Sequence, residues 1–229
     1  VSKGHWEESS ILQSFLKSRE RVATYGEVFT SEKEVAAMLD LVESQTKRIE
    51  ATFLEPSCGD GAFLSEILKR KLGIVKNIYQ KSKYDYERYS ILALSTLYGV
   101  ELLPDNVQNC RERLFSIWDS EYLKLAGNSF DEDCRKTASF ILKKNILLGD
   151  ALTLRTPDGR PIIFAEWSLI SGTKFKRRDY DLHELIESSS NQLDLFDQDL
   201  EFDPEARTFI PKPIREYPIT DLKELYLND

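Results

Sequence analysis

The sequence predicts an α/β fold in which strands of one parallel sheet alternate with helices. An apolar, strand-like run leads directly into a glycine-rich turn and then into an amphipathic helix. Other short apolar runs follow, and helical segments separate them from one another. Strands connected through helices lie parallel, so we expect one sheet with both faces covered. The predicted strands are Ala51–Leu54, Leu97–Val100, Asn145–Leu148 and Pro161–Phe164.

Helical spacing of apolar residues predicts the remaining elements. One helix is expected near Glu7–Arg19, where apolar residues fall on one face. Ser31 followed by Glu34 has the pattern of a capping box, so a second helix should begin near Ser31. Further helices are predicted after the glycine turn to about Leu72, over Tyr86–Leu94 and from Pro104 onward.

The composition is typical of a globular protein that works in a reducing cytoplasm. The chain has 229 residues, with 41% hydrophobic and 31% charged, which fits one domain with a real core. No apolar run approaches the roughly 20 residues that cross a bilayer, and the first residues do not resemble a secretory signal. Three widely spaced cysteines and two histidines favour neither a disulfide framework nor a metal site.

The most informative segment runs from Phe53 to Gly61, with the sequence FLEPSCGDG. A strand that ends in an acid and turns through glycines lets backbone amides approach a nucleotide-like ligand. The acid would repel a bare phosphate, so it favours a ligand with hydroxyl groups or positive charge. S-adenosylmethionine has both, although an ordinary strand-to-helix turn is the structural alternative. The candidate binding residues here are Glu55, Pro56, Ser57, Cys58, Gly59 and Gly61.

Two more acids end predicted strands, where ligands bind in open α/β sheets. Glu101 and its neighbour Leu102 follow the second strand, and that acid could accept both hydroxyls of a ribose. Asp150 and Ala151 follow the third strand, and the aspartate could accept from an adenine amino group. Either acid alone would be read as a surface or capping residue. Upstream, Phe29 and Thr30 place an aromatic ring and a hydroxyl just before a helix.

These pieces resemble the adenine-specific (N6) DNA methyltransferases of restriction–modification and phage-defence systems, the type I and type IIG-like group. The resemblance covers roughly residues 20–165. The matching motifs, in the family's order, are Gly26-x-x-Phe29-Thr30, Phe53 to Gly61, Tyr98 to Leu102 and Gly149 to Leu152. Ser31 departs from the family, which usually has proline there.

That resemblance implies a Rossmann-like S-adenosylmethionine-dependent methyltransferase fold with added N-terminal helices. It also implies a role for each candidate binding residue. Thr30 and the Glu55–Gly61 turn would hold the methionine part of the cofactor, Glu101 the ribose and Asp150 the adenine ring.

The catalytic motif of this family is missing. Such enzymes carry Asn/Asp-Pro-Pro-Tyr/Phe after the fourth strand, where an acceptor and a backbone carbonyl activate the adenine amino group and the aromatic stacks on the flipped base. The corresponding segment here has Glu166 as a weak candidate acceptor and Trp167 as a weak candidate stacking residue. A tryptophan of the core or its rim is the alternative interpretation.

The segment beyond Trp167 also looks too short for the family's three further strands and target-recognition domain. We therefore expect an incomplete sheet whose open edge another chain covers. On this interpretation the chain acts inside a complex, and a partner supplies DNA recognition and the missing catalytic loop.

Charge distribution bears on DNA binding. The net charge of −8 disfavours attraction of a polyanion in bulk, so DNA contact would need a local basic patch. The basic patch consists of Lys174, Lys176, Arg177 and Arg178 around Phe175. It would either contact a phosphate backbone or form a solvated helix N-terminal segment neutralised by the acids that follow.

We divide the chain into a methyltransferase-like domain, residues 1–187, and two tail segments. Within it, residues 1–50 form the N-terminal helices and residues 51–167 the cofactor-binding core. Residues 188–206 are acidic and expected to be disordered, and residues 207–229 are expected to drape over the domain. The acidic segment contains Gln192, Leu193, Asp194, Leu195 and Phe196, which resemble the peptide that docks on the bacterial sliding clamp. An apolar anchor that folds back on this chain is the alternative.

Three function hypotheses remain open from the sequence. The first is an adenine-specific DNA methyltransferase subunit that is active in a complex. The second is a catalytically inactive methyltransferase-like scaffold or DNA-binding subunit in such a complex, which the absent proline pair favours. The third is an RNA or small-molecule methyltransferase with an unusual acceptor loop, and the basic patch and the lack of an apolar lid weigh against a small molecule as the substrate.

Overall fold

A computed structural model describes residues 21–24, 30–190, 200–203 and 208–228. The helix predicted near Glu7–Arg19, Phe29 and the segment Gln192–Phe196 lie outside these ranges. The helices are α1 (Glu32–Asp40), α2 (Glu43–Thr46), α3 (Ala62–Tyr79), α4 (Lys83–Ser95), α5 (Pro104–Ala126), α6 (Glu132–Asn145) and α7 (Leu182–Ser190). The strands are β1 (Phe53–Glu55), β2 (Leu97–Glu101), β3 (Ile146–Leu148), β4 (Ile163–Ser171), β5 (Lys174–Asp181), β6 (Leu200–Asp203), β7 (Thr208–Pro211), β8 (Arg215–Glu216) and β9 (Thr220–Asp221).

The fold is mixed α/β and contains a parallel sheet with the order β1-β2-β3. In register, Phe53 lies opposite Leu97 and Gly99 lies opposite Ile146. Helices α3 and α4 connect β1 to β2, and α5 and α6 connect β2 to β3. This architecture is compatible with a Rossmann-like fold, as the sequence predicts. Within the described ranges β1 and β3 each pair only with β2, so both are edge strands of this sheet.

The helix boundaries follow local signals in the sequence. Ser31 caps α1 and forms the predicted capping box with Glu34. Pro104 occupies the first turn of α5, where its missing N–H group costs no helical hydrogen bond. The two helices between β1 and β2 are longer than predicted. Helix α3 ends at Tyr79 and not near Leu72, and α4 begins at Lys83, directly after its N-cap Ser82.

The two faces of the parallel sheet have different neighbours. In β2, Tyr98 and Val100 belong to a small core together with Ile162, just before β4, and Phe164, within β4. Leu97 lies on the opposite face of β2 and belongs to the main core with the helices. The deepest side chains of the main core include Leu64, Ile91, Leu114, Trp118, Tyr122 and Ile141, all fully buried.

A buried lysine closes the amino ends of β1 and β2. Lys71 of α3 is fully buried and donates to the carbonyl oxygens of Ile49 and Ala51 and to Thr96 Oγ1. Burial lowers the pKa of Lys71 to about 7, and the charge of Glu50 opposes that shift. Hydrogen bonds to several oxygens compensate a buried ammonium group, so Lys71 has a structural role here.

The prediction that Pro161–Phe164 forms a fourth parallel strand is wrong. Strand β4 covers Ile163–Ser171 and pairs antiparallel with β5, in a second sheet that also contains β8 and β9. The two strands are adjacent in the chain, and Gly172 at a φ of 55° lies in the turn between them. A local hairpin forms with little loop-closure cost, whereas joining the parallel sheet requires a long crossover.

The tail is more ordered than the sequence predicts. Within residues 188–206, which were expected to be disordered, Leu200–Asp203 forms a strand that pairs with Thr208–Pro211. Further along the chain, Arg215–Glu216 and Thr220–Asp221 add β8 and β9 to the second sheet. Leu222 and Leu225 are buried in the main core, which anchors this end of the described chain. Among the described residues, no helix is both long enough and apolar enough to cross a bilayer.

Candidate functional site

The turn after β1 is fixed against β2 by backbone hydrogen bonds. The amide of Cys58 donates to the carbonyl of Val100 at 3.0 Å, and the amide of Gly61 donates to the carbonyl of Cys58 at 2.8 Å. Gly59 and Gly61 have φ angles of 53° and 85°, which side-chain-bearing residues rarely adopt. The turn therefore has one defined shape, and α3 begins immediately after it.

Cysteine side chains fill the space beneath this turn. Cys58 and Cys110 are both buried and free. A Cβ atom on Gly61 would lie 2.6 Å from Cys110 Sγ, and one on Gly99 would lie 2.7 Å from Cys58 Sγ. Both glycines are thus required by close packing against sulfur. The sequence motif includes Cys58 and Gly61, but Cys110, from α5, was not predicted as part of the site.

Glu101 links the turn to the beginning of α5. Its side chain is buried, and Oε2 accepts from the amide of Gly59 at 2.9 Å. Oε1 accepts from the amide of Leu103 at 2.9 Å and from Asn106 Nδ2 at 3.5 Å. A carboxylate has about four acceptor positions, so Glu101 retains capacity for a ligand hydroxyl.

Glu55 is the unsatisfied acid of the site. Its Oε2 atom is buried and has no hydrogen-bond partner among the described residues. Burial, followed by the negative charges of Asp60 and Glu101, raises the pKa of Glu55 to about 8. A buried carboxyl group without a partner is costly for the fold, and a cationic group placed beside it would remove that cost.

Asp150 follows β3 directly beside the end of β2. The amide of Gly149 donates to the carbonyl of Glu101 at 2.9 Å, which joins the two strand ends. The amide of Asp150 donates to the carbonyl of Arg155, and its Oδ1 accepts from the amide of Leu152 at 2.8 Å. Two exposed apolar side chains flank these acids: Leu152 is 95% exposed and Leu102 is 51% exposed.

The three predicted acids thus end three adjacent parallel strands. The negative charges of Glu55 and Glu101 interact. Asp150 directly follows Gly149, whose amide donates to the carbonyl of Glu101, so Asp150 lies next to the end of β2. Pro56 and Ser57 are exposed on the turn, and Ala151 is partly buried. Thr30 is partly buried just before α1.

Arg113 was missed by sequence reasoning. It lies on α5 and forms a two-pronged ion pair with Asp60 of the turn, at 3.1 and 2.7 Å. No local pattern identifies such a contact, because its partners are far apart in the chain. Its charge holds the outer side of the turn and partly offsets the acid cluster.

The weak catalytic candidates lie elsewhere and do not resemble a catalytic pair. Trp167 is buried in the main core, where its Nε1 donates to Asn145 Oδ1 at 2.9 Å and its ring packs edge-on against Phe140. It is therefore a core residue and not a stacking surface for a base. Glu166 lies in the middle of β4, where its carboxylate accepts from Ser168 and contacts Arg178 at 3.5 Å.

The basic patch forms a strand and not a helix N-terminus. All of its cations lie on β5 and all have acidic partners. Arg177 is 4% exposed and forms a bidentate pair with Asp179, so the predicted DNA contact is wrong for this residue. The other pairs are Lys174 with Asp221, Lys176 with Glu216, and Arg178 with Glu166 and Glu216.

No protein-family model, curated protein or solved structure matches this chain. The function proposed for it therefore depends on its own residues and their geometry.

Proposed function

We propose that this chain is the S-adenosylmethionine-binding subunit of an adenine-specific DNA methyltransferase-like complex, of the restriction–modification or phage-defence kind. The observation that carries the proposal is the buried, partnerless Oε2 atom of Glu55 beside the glycine turn. This oxygen lies at the carboxyl edge of a parallel sheet, where ligands bind in open α/β folds. A cationic nucleoside satisfies that oxygen, whereas a phosphate group does not.

The residues at this edge fit the parts of S-adenosylmethionine. Glu55 would accept from the amino group, Glu101 from the ribose hydroxyls and Asp150 from the adenine amino group. Leu102 and Leu152 offer exposed apolar surface to the adenine ring. When bound, the cofactor supplies an electrophilic methyl group.

The protein's own contribution is electrostatic and geometric. Because the pKa of Glu55 is raised to about 8, the carboxyl group is mostly protonated at neutral pH, and a positive charge placed beside it favours release of the proton. Binding of a cation is thereby coupled to proton release from Glu55. The hydrogen bonds from Gly59 and Leu103 to Glu101 keep that carboxylate oriented before any ligand enters.

A partner chain is part of the proposal. Within the described ranges, no strand pairs with the outer side of β1. Glu166 and Trp167 lie in the antiparallel sheet and not with the strand-end acids. The partner would supply DNA recognition and the catalytic loop, in the cytoplasm where free cysteines persist. Docking of Gln192–Phe196 on a sliding clamp stays a prediction, since that segment lies outside the described residues.

A second candidate function is a catalytically inactive methyltransferase-like scaffold in the same kind of complex. The burial of Trp167 and the ion pair of Glu166 favour it, because both residues are already used by the fold. The two candidates agree on cofactor-binding geometry and differ only in methyl transfer.

Calorimetric titration with S-adenosylmethionine, followed by transfer of a tritiated methyl group to duplex DNA, tests both candidates. The assay is run on the chain alone and together with its co-purifying proteins. Saturable binding, with transfer only in the presence of partners, supports the methyltransferase subunit. Binding without transfer under either condition supports the scaffold. Absence of saturable binding contradicts both.

A further inference from the structure

An arginine from the N-terminal part of the chain reaches the helix that follows Glu101. Residues 21–24 are helical, and Arg21 donates through both Nη atoms to the carboxylate of Asp105, in the first turn of α5. Its Nη2 atom also donates to Asn106 Oδ1 at 3.2 Å. Arg21 and Asn106 are 85 residues apart in the sequence, so these bonds tie a distant segment to the candidate site.

The buried side chain of Asn106 continues this contact to Glu101. Its Nδ2 atom donates to Glu101 Oε1 at 3.5 Å. A guanidinium group can only donate hydrogen bonds, and a carboxylate can only accept them. If the amide were turned over, its NH₂ group would face Arg21 and its oxygen would face Glu101, so both contacts would become repulsive. Arg21 therefore favours the one orientation in which Asn106 donates to Glu101.

A surface ion pair that only anchors the chain is the alternative role for Arg21. The amino end of α5 does not itself attract a cation, because the helix dipole is positive there. Asp105 does attract it, and the hydrogen bond from Arg21 is the first cause that holds the pKa of Asp105 below its ordinary value. The Asp105 side chain is 56% exposed, however, so this pair alone contributes little to stability. The bond to Asn106 differs because it ends on a buried amide that contacts a site residue.

We propose that Arg21 is a positioning residue of the candidate ligand site. It holds the amide of Asn106, which joins the backbone amides of Gly59 and Leu103 as the third donor to the Glu101 carboxylate. Three donors on two oxygens keep the remaining acceptor positions in a fixed direction for a ligand hydroxyl. The identity of that ligand rests on the proposed function, whereas the orientation of Glu101 is a property of the free protein.

Hydrogen exchange of the Gly59 and Leu103 amides, followed by NMR on the full chain, tests the positioning without any ligand. Both amides donate to Glu101, so a less firmly held carboxylate exposes them to solvent more often. We expect Arg21→Gln to accelerate the exchange of these two amides by about threefold or more, as for the partial loss of one hydrogen bond. Amides of the main core should exchange as in the wild type.

The matched control is Arg135→Gln. The side chains of Arg21 and Arg135 are both 26% exposed, and each arginine forms a two-pronged pair with an aspartate of α5. The partner of Arg135 is Asp119, which lies about 20 Å from Asn106 along the helix. Unchanged exchange of the two site amides in Arg21→Gln, or equal acceleration in both variants, would overturn the proposal.

Calorimetric titration with S-adenosylmethionine measures the consequence for binding. Arg21→Gln should bind about threefold more weakly or worse, and Arg135→Gln should bind as the wild type does. In an Asn106→Ala background, Arg21→Gln should cause no further loss, because the residue through which it acts is absent. A full additional loss in that background would contradict the role assigned to Asn106. If the wild type does not bind S-adenosylmethionine, the proposed function fails, and the exchange rates of the free protein decide the role of Arg21.

Discussion

At each of the two edges of the parallel sheet lies an ionisable group with a buried polar atom, and only one of these atoms has hydrogen-bond partners among the described residues. At the amino edge, the ammonium group of Lys71 donates to three oxygen atoms. At the carboxyl edge, Glu55 Oε2 has no partner among the described residues. A buried ammonium group with hydrogen-bond partners indicates a structural role, whereas a buried carboxyl oxygen without one indicates a place that a ligand completes. The difference separates the scaffold of this protein from its candidate site.

The largest expected effect is loss of the satisfied charge. Lys71→Met removes the ammonium group that donates to Ile49 O, Ala51 O and Thr96 Oγ1. We expect the free energy of unfolding to fall by about 3–5 kcal/mol, because buried oxygen atoms lose a hydrogen-bond donor. Chemical denaturation measures this change. Lys69→Met, at an exposed position of the same helix, is the control and should change stability by less than about 0.5 kcal/mol. A loss in Lys71→Met no greater than in the control would show that the lysine is not structural.

Substitution in the glycine turn should have the next largest effect. Gly61→Ala adds a Cβ atom 2.6 Å from Cys110 Sγ, at a φ of 85°. Steric overlap and backbone strain together should lower stability by about 2–3 kcal/mol. Gly73→Ala, in the middle of α3 with open space around it, should instead raise stability by about 0.5–1 kcal/mol. Thermal unfolding of the pair distinguishes a required turn glycine from a replaceable helix glycine, and equal effects would contradict the packing described here.

Much of this architecture could be predicted from local sequence signals. The Phe53–Gly61 turn, the ends of β2 and β3 and the Ser31 cap are each encoded within a few residues, and the structure contains all of them. The second sheet could not be predicted in this way. In β5 the buried positions include Arg177 and Asp179, which pair with each other, so the strand lacks an apolar alternation. The contacts of Cys110 and Arg113 with the turn join segments far apart in the chain.

The pH dependence of stability should report the unsatisfied acid. The pKa of Glu55 is raised from 4.5 to about 8, so the folded protein holds a proton that the unfolded chain releases. The contribution of this group is fully present below about 4.5 and is lost as pH rises through about 8, with a slope of up to about 1.4 kcal/mol per pH unit. Lys71 titrates in the opposite sense in an overlapping range, since burial lowers its pKa to about 7.

Comparison with Glu55→Gln isolates this contribution, because glutamine is neutral at every pH and Lys71 is common to both proteins. We expect the stability of the wild type to decline relative to the variant between about pH 4.5 and pH 8, the range between the unfolded and folded pKa values of Glu55. Urea denaturation at several pH values measures the difference. Parallel stability curves would mean that the carboxyl group is ionised and solvated throughout.

The most direct measurement is the affinity for S-adenosylmethionine of the wild type, of Glu55→Gln and of Glu166→Gln, at one neutral pH. The account predicts that Glu55→Gln folds at least as stably as the wild type but binds about tenfold more weakly or worse, since the ammonium group loses its carboxylate partner. Glu166→Gln should bind as the wild type does, because that acid is paired with Arg178 in the other sheet. Undiminished binding by Glu55→Gln would contradict the assignment of the ligand site to the carboxyl edge of the parallel sheet.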